Sequence, residues 1–179
     1  MQLERAASGV SSFQRRHHLM RPPLSPFHSW PVQHVDPRYG YVWYLGEGLI
    51  VSHITVAHGT EAAAHAYHDF ENAVLHDRAA ELAVYGGIFV IHDWRTMETY
   101  EAGARRVWQE RMRGHPKGYL RGSVVCLVRA SALLKMAVQA ANLVASVSHA
   151  AKVELSTDID AALRAHGPRT LVRPPASMR

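Results

Sequence analysis

His92, Asp93, Trp94 and Arg95 stand together where the apolar run Gly87-Ile88-Phe89-Val90-Ile91 ends. An imidazole, a carboxylate, an indole and a guanidinium side by side are capable of acid–base work, ion pairing or partner contact. His92 and Asp93 are nevertheless adjacent in an extended run, where neighbours point to opposite faces, so they do not form a dyad with each other. An enzyme would draw on Asp93 and Arg95 with Lys135, but no motif with a mechanism joins those three. No catalytic residue is therefore assigned.

Three other groupings invite the same scrutiny. His65, His68 and Asp69 have the spacing a metal can use on one helix turn, yet they lie opposite the apolar stripe Ala63, Tyr67, Phe70 and Val74. They read as a solvated polar face, and neither metal nor cofactor is assigned. Ser131 and Lys135 lie four residues apart, one more than the Ser-x-x-Lys nucleophile needs, and read as a cap and a snorkelling side chain. The single cysteine, Cys126, sits inside Val124-Val125-Cys126-Leu127-Val128 with no adjacent basic group, and reads as a buried small hydrophobe.

The elements that must position these residues follow from periodicity. Ile88–Ile91, preceded by Gly86-Gly87, has no polar interruption and reads as a central strand covered on both faces. Its far end is the natural rim of an open α/β sheet, where ligands and partners approach. Order begins at Tyr39, and Tyr41–Leu45 and Leu49–Val56 around Gly46-Glu47-Gly48 predict a hairpin. Thr60 and Glu61 open a first helix, and Thr96 caps a second whose face is Tyr100, Ala104, Val107, Trp108 and Arg111. A strand over 122–128 leads to a third helix, 131–148, with one polar stripe of Lys135, Gln139, Asn142 and Ser146. Lys152–Leu155 is an edge strand whose charges discourage further pairing, and a last helix after Thr157 closes at His166-Gly167-Pro168.

Composition bounds the class. The chain has 179 residues, 47% apolar and 20% charged, which suits one globular domain with loose ends. No apolar run is long enough to span a membrane, no secretory signal is present at the N-terminus, and a cytoplasmic location is expected. The net charge of +5 gathers at the two ends, while the middle is nearly neutral. Basic tails without an aromatic-interleaved patch predict no specific nucleic-acid partner. Residues 1–38, punctuated by Pro22, Pro23, Pro26, Pro31 and Pro37, read as a Pro/Arg-rich disordered extension; residues 39–166 form the domain and 167–179 a basic tail.

With the motif residues placed, residues from about Tyr41 to His166 resemble a STAS-like domain, of the branch that also resembles the CRAL-TRIO lipid-binding fold. His92-Asp93-Trp94-Arg95 with Tyr100 and Arg105, then Lys135-Met136-Ala137-Val138 and Ala141-Asn142-Leu143, is similar to a group of small bacterial STAS-like proteins without an assigned role. The resemblance implies an α/β fold in the order β-β-α-β-α-β-α-β-α, with a mixed, mostly parallel sheet of about five strands and about four helices. It also implies a non-enzymatic regulatory module that docks another protein through His92, Asp93, Trp94, Arg95 and Thr96. STAS proteins of the anti-sigma-factor-antagonist type carry a phosphorylatable Ser in an Asp-Ser-Ser-Gly turn. Here the turn is Asp93-Trp94-Arg95-Thr96-Met97, without that Ser or Gly, and Thr96 reads as a cap. Homodimerisation is expected from the resemblance and from the aromatic hairpin of Tyr41, Trp43 and Tyr44. The alternative is a small hydrophobic ligand or lipid held at Lys135, Met136, Gln139 and Asn142.

Overall fold

A computed structural model of the chain describes Trp30 and residues 33–114, 118–128 and 152–168. The strands are β1 (His34–Asp36), β2 (Gly40–Tyr44), β3 (Leu49–Ile54), β4 (His58–Gly59), β5 (Ile88–Asp93), β6 (Thr99–Tyr100), β7 (Leu120–Cys126) and β8 (Val153–Ser156). The helices among the described residues are α1 (Glu61–Asp77), α2 (Ala79–Val84), α3 (Ala102–Gly114) and α4 (Ile159–His166). Six strands make one mixed sheet in the order β1-β2-β3-β5-β7-β8, and β4 pairs with β6 in a separate two-stranded piece. β1, β2 and β3 are antiparallel neighbours; β3, β5, β7 and β8 run parallel. The fold is α/β, as its sequence pattern predicts.

β5 is the interior strand that its uninterrupted apolar run predicts, flanked on each side by a parallel neighbour. Alternation along the strands separates two cores. Ile50, Ile54, Ile88, Val90, Trp94 and Val125 face Tyr67 and Val74 of α1, while Trp43, Leu49, Val51, Ile91 and Cys126 face Ile159 and Ala162 of α4. α1 also packs on α3 through Ala64, Ala104 and Val107.

Local rules set the boundaries. Thr60 caps α1 by accepting the Ala63 amide at 3.2 Å, and Asp158 caps α4 by accepting that of Ala161 at 2.9 Å. The hairpin turn holds Gly46, Glu47 and Gly48 all at positive φ, which the two glycines adopt at little cost. Gly40 is required for a different reason: at φ 145° it lies where a Cβ would meet the His53 carbonyl and the Tyr67 hydroxyl.

Several expectations are corrected. The sheet starts before Tyr39, because β1 adds an edge strand from within the proline-rich stretch; Pro37 falls in the turn between β1 and β2, where its missing N–H costs nothing. The sixth strand is this one. Thr96 caps no helix: β6 takes up the residues after it by pairing with β4, and α3 begins only at Ala102. Thr96 instead donates its hydroxyl to the Ile54 carbonyl. The hairpin rings are covered, with Tyr41, Trp43 and Tyr44 all buried, so the exposed aromatic area expected to drive a dimer is not there. Trp30 closes over Trp43 edge to face, ring centres 5.7 Å apart. The third helix expected over 131–148 lies outside the described residues, and with it Lys135, Met136, Gln139 and Asn142. No helix among the described residues is long and apolar enough to cross a membrane.

Candidate functional site

The parallel pairing of β3 with β5 brings two polar dipeptides level with each other. Ser52 lies opposite His92 and His53 opposite Asp93. Because consecutive residues alternate faces, the two pairs form on opposite sides of the sheet. Toward α4, His53 Nδ1 stands 2.7 Å from Asp93 Oδ2. Toward α1, Ser52 Oγ and His92 Nδ1 share a hydrogen bond of 2.9 Å. His92 and Asp93 do not bond to each other, as strand alternation predicts.

Asp93 is closed on every side. Arg95 donates Nε to Oδ1 at 2.7 Å and its terminal nitrogen to Oδ2 at 2.9 Å, a forked pair, and its backbone amide reaches Oδ1 at 3.3 Å. Burial pushes the carboxyl up, but the hydrogen bonds from His53 and Arg95 outweigh it and hold Asp93 below its usual range. The hydrogen bond to Asp93 in turn raises Arg95. A carboxylate held this way orders a turn and is poorly placed to trade protons with a substrate.

The chain after β5 is stapled down. Trp94 donates its amide to the Cys126 carbonyl at 3.0 Å, Met97 donates to Trp94 at 2.9 Å, and the Glu98 amide bonds the Ala57 carbonyl at 2.8 Å. Trp94 itself is 5% exposed. Its ring sits 5.5 Å from Tyr100, 5.9 Å from Trp108 and 5.5 Å from His92. Of the two readings that its sequence position leaves open, an anchor on the surface or a lid folded back on the core, the indole takes the second and packs under α3. Of the five residues expected at the docking rim, His92, Asp93 and Trp94 are buried, and only Arg95 and Thr96 are partly exposed. Glu98 and Thr99 beyond them are exposed, with the Thr99 hydroxyl 2.5 Å from His58 Nδ1. A hollow of about 350 Å³ lined by Leu127, Leu155, Ser156 and Thr157 opens at the carboxyl ends of β7 and β8.

His68 departs most from its sequence reading. It is fully buried, not solvated, and lies against the Trp108 ring at 4.2 Å. His65 and Asp69 do sit toward solvent, where Arg111 of α3 reaches both, at 3.3 and 3.2 Å. The apolar stripe of α1 faces the sheet, and α3 covers the next turn of its surface; His68 belongs to that second contact. Glu71, Ser52 and His53 are also buried and stand outside the residues that the sequence pattern singles out. The Ser-His dipeptide at the end of one apolar run and the His-Asp dipeptide at the end of another were the available signal.

Burial lowers His92 to about 4, so the ring is neutral near neutrality. Cys126 is likewise buried, its thiol pushed up to about 12 by burial and by the nearby Asp93 charge. Among the described residues, no group of three or more His, Cys, Asp or Glu is arranged to hold a metal ion. No family model, no curated protein and no solved structure matches this chain.

Proposed function

We propose that this chain is a non-enzymatic regulatory module of STAS-like kind that binds another protein at the carboxyl end of β5. The observation that carries the reading is the engagement of Asp93 by both the His53 ring and the Arg95 guanidinium. It turns the polar rim into a rigid presenting turn and leaves no poised acid or base there. The docking surface is then Arg95 and Thr96 with the exposed Glu98 and Thr99, and buried Trp94 supports it from beneath. Sequential photo-crosslinking tests it. A crosslinking side chain at Glu98 should trap one protein in cells of the source organism, while the same group at Val84, 80% exposed at the far end of the sheet, should not. Purified with that protein, Glu98→Lys should weaken binding at least about tenfold with an unchanged melting temperature, as truncation of contacts at an interface centre does. Equal trapping from both positions would sink the proposal.

A second reading, a small hydrophobic ligand, is favoured by one feature. A hollow of about 680 Å³ lies at the opposite end of the sheet, lined by Leu75, Ala79, Leu82, Ala83 and Tyr119. Its size falls in the range of small-molecule sites. Native mass spectrometry of the purified chain would reveal a retained ligand, and Ala83→Trp would displace it.

A further inference from the structure

The layer between α1, α3 and β5 holds more hydrogen-bonding capacity than it uses. His68 Nδ1 lies 3.4 Å from a Glu71 carboxylate oxygen, close enough for charge attraction but not aligned as a hydrogen bond. Among the described residues, neither His68 nitrogen, nor Glu71 Oε1, nor Trp94 Nε1 has a hydrogen-bond partner, though all are buried. Native interiors rarely leave such atoms unpaired, and where they do the group has a task or a cost that shows elsewhere. Trp108 joins the members: its ring meets His68 at 4.2 Å, His92 at 5.2 Å and Trp94 at 5.9 Å.

We infer that His68, Glu71 and His92 form an acid-operated latch, in which proton uptake loosens α1 and α3 from the sheet and uncovers Trp94 and Trp108. The argument is a balance of charges. Two imidazoles lie near one buried carboxylate, so Glu71 balances a single imidazolium, and among the described residues a second has no counter-charge in the layer. The other described groups that face it supply none: Ser52 from β3 and Ser123 from β7 are neutral hydroxyls, and Tyr119 is a phenol. Trp108 of α3 is uncharged, and Arg111 is engaged at the outer margin by Asp69 and His65. The low value of His92 agrees: burial lowers it most, the Glu71 charge works against that, and the His68 ring works with it. On the opposite face of β5, Asp93 has both its partners, so strain from protonation falls on the α1–α3 side.

Hydrogen exchange of the full chain, followed by mass spectrometry and corrected for intrinsic rate, tests the latch between pH 7.5 and 5. Peptides from α1 and α3 should hold their protection down to about pH 6.5, the ordinary imidazole range, and lose it below that by up to about tenfold per pH unit for one proton taken up, while those from β3 and β5 keep theirs. His92→Asn and His68→Gln should each flatten that slope. Should either variant fail to fold, long-range nitrogen NMR of the unaltered imidazoles carries the test, because opening must coincide with protonation of His68 or His92. Protection of α1 and α3 that is constant with pH, loss in every element together, or opening without imidazole protonation would each overturn it.

Discussion

His53 and Asp93, forty residues apart in sequence, face each other on neighbouring strands with 2.7 Å between nitrogen and oxygen and almost no contact with solvent. Removing the carboxylate leaves the buried His53 without its hydrogen-bond partner and the forked Arg95 without its counter-charge. Asp93→Ala is expected to cost about 3–5 kcal/mol, the range for breaking a buried pair. Urea unfolding followed by circular dichroism measures it; a loss below about 1 kcal/mol, ordinary for surface changes, would show that the rim is not the rigid turn described.

Trp94→Ala is expected to destabilise by about 3–5 kcal/mol, as truncation of a buried aromatic does. Its ring contacts with Tyr100, Trp108 and His92 are the reason. Glu98→Ala beside the same turn should stay within about 0.5 kcal/mol. That contrast, read in thermal melts, separates the support of the turn from the surface it presents.

Acid should weaken the fold before any carboxylate of ordinary strength is protonated. The buried His92 falls from 6.5 to about 4 on folding, so the folded state favours the neutral ring. The stability this contributes is whole above about pH 6.5 and drains as pH falls toward 4, to a total of roughly 3 kcal/mol. Asp93, lowered on folding, adds a further loss below its ordinary range, in the same direction. Urea midpoints at pH 7.5, 6 and 5 should fall in that order, and His92→Asn should shrink the difference.

Cys126 should resist thiol reagents at pH 8 in the folded chain, reacting roughly a thousandfold more slowly than in urea. Burial is the first cause of its raised thiol. Labelling that is fast in native buffer would mean that the β7–β8 region opens readily.

Gly40→Ala should cost well over about 1 kcal/mol, since alanine is strained at positive φ. Its methyl would also strike the Tyr67 hydroxyl, which donates to the Tyr39 and His53 carbonyls at 3.1 and 3.0 Å. Tyr67→Phe, which keeps the ring, should cost less, about 1 kcal/mol.

What could be read from the chain alone were the features that depend on neighbours in sequence. The β2–β3 hairpin, the buried run of β5, the Thr60 cap and the stripe of α1 all rest on period and short-range chemistry. The start of the sheet is hidden in the sequence because β1 has too few residues to show a period and lies beside a proline. At Thr96 a hydroxyl ahead of Glu98 fits the pattern of a cap, whereas a two-residue parallel pairing with β4 leaves no local trace. His68 and Glu71 required knowing that a second helix covers α1, and the His53–Asp93 contact required the register of β3 on β5. Tertiary partners decide such positions, and one helix's periodicity does not contain them.

The side-by-side placement of Ser52-His53 and His92-Asp93 also bears on how the sheet finds its pairing. Leu49-Ile50-Val51 and Phe89-Val90-Ile91 are interchangeable as greasy tracts, and either could slide along the other with little change in apolar contact. A slide of one position sends every side chain to the opposite face. Ser52 would then lie level with Asp93 or Ile91, and the Ser52–His92 and His53–Asp93 pairings would both be lost at once. The two dipeptides thus work as a vernier, penalising misaligned collapse so that the strands proofread their own alignment as the chain compacts.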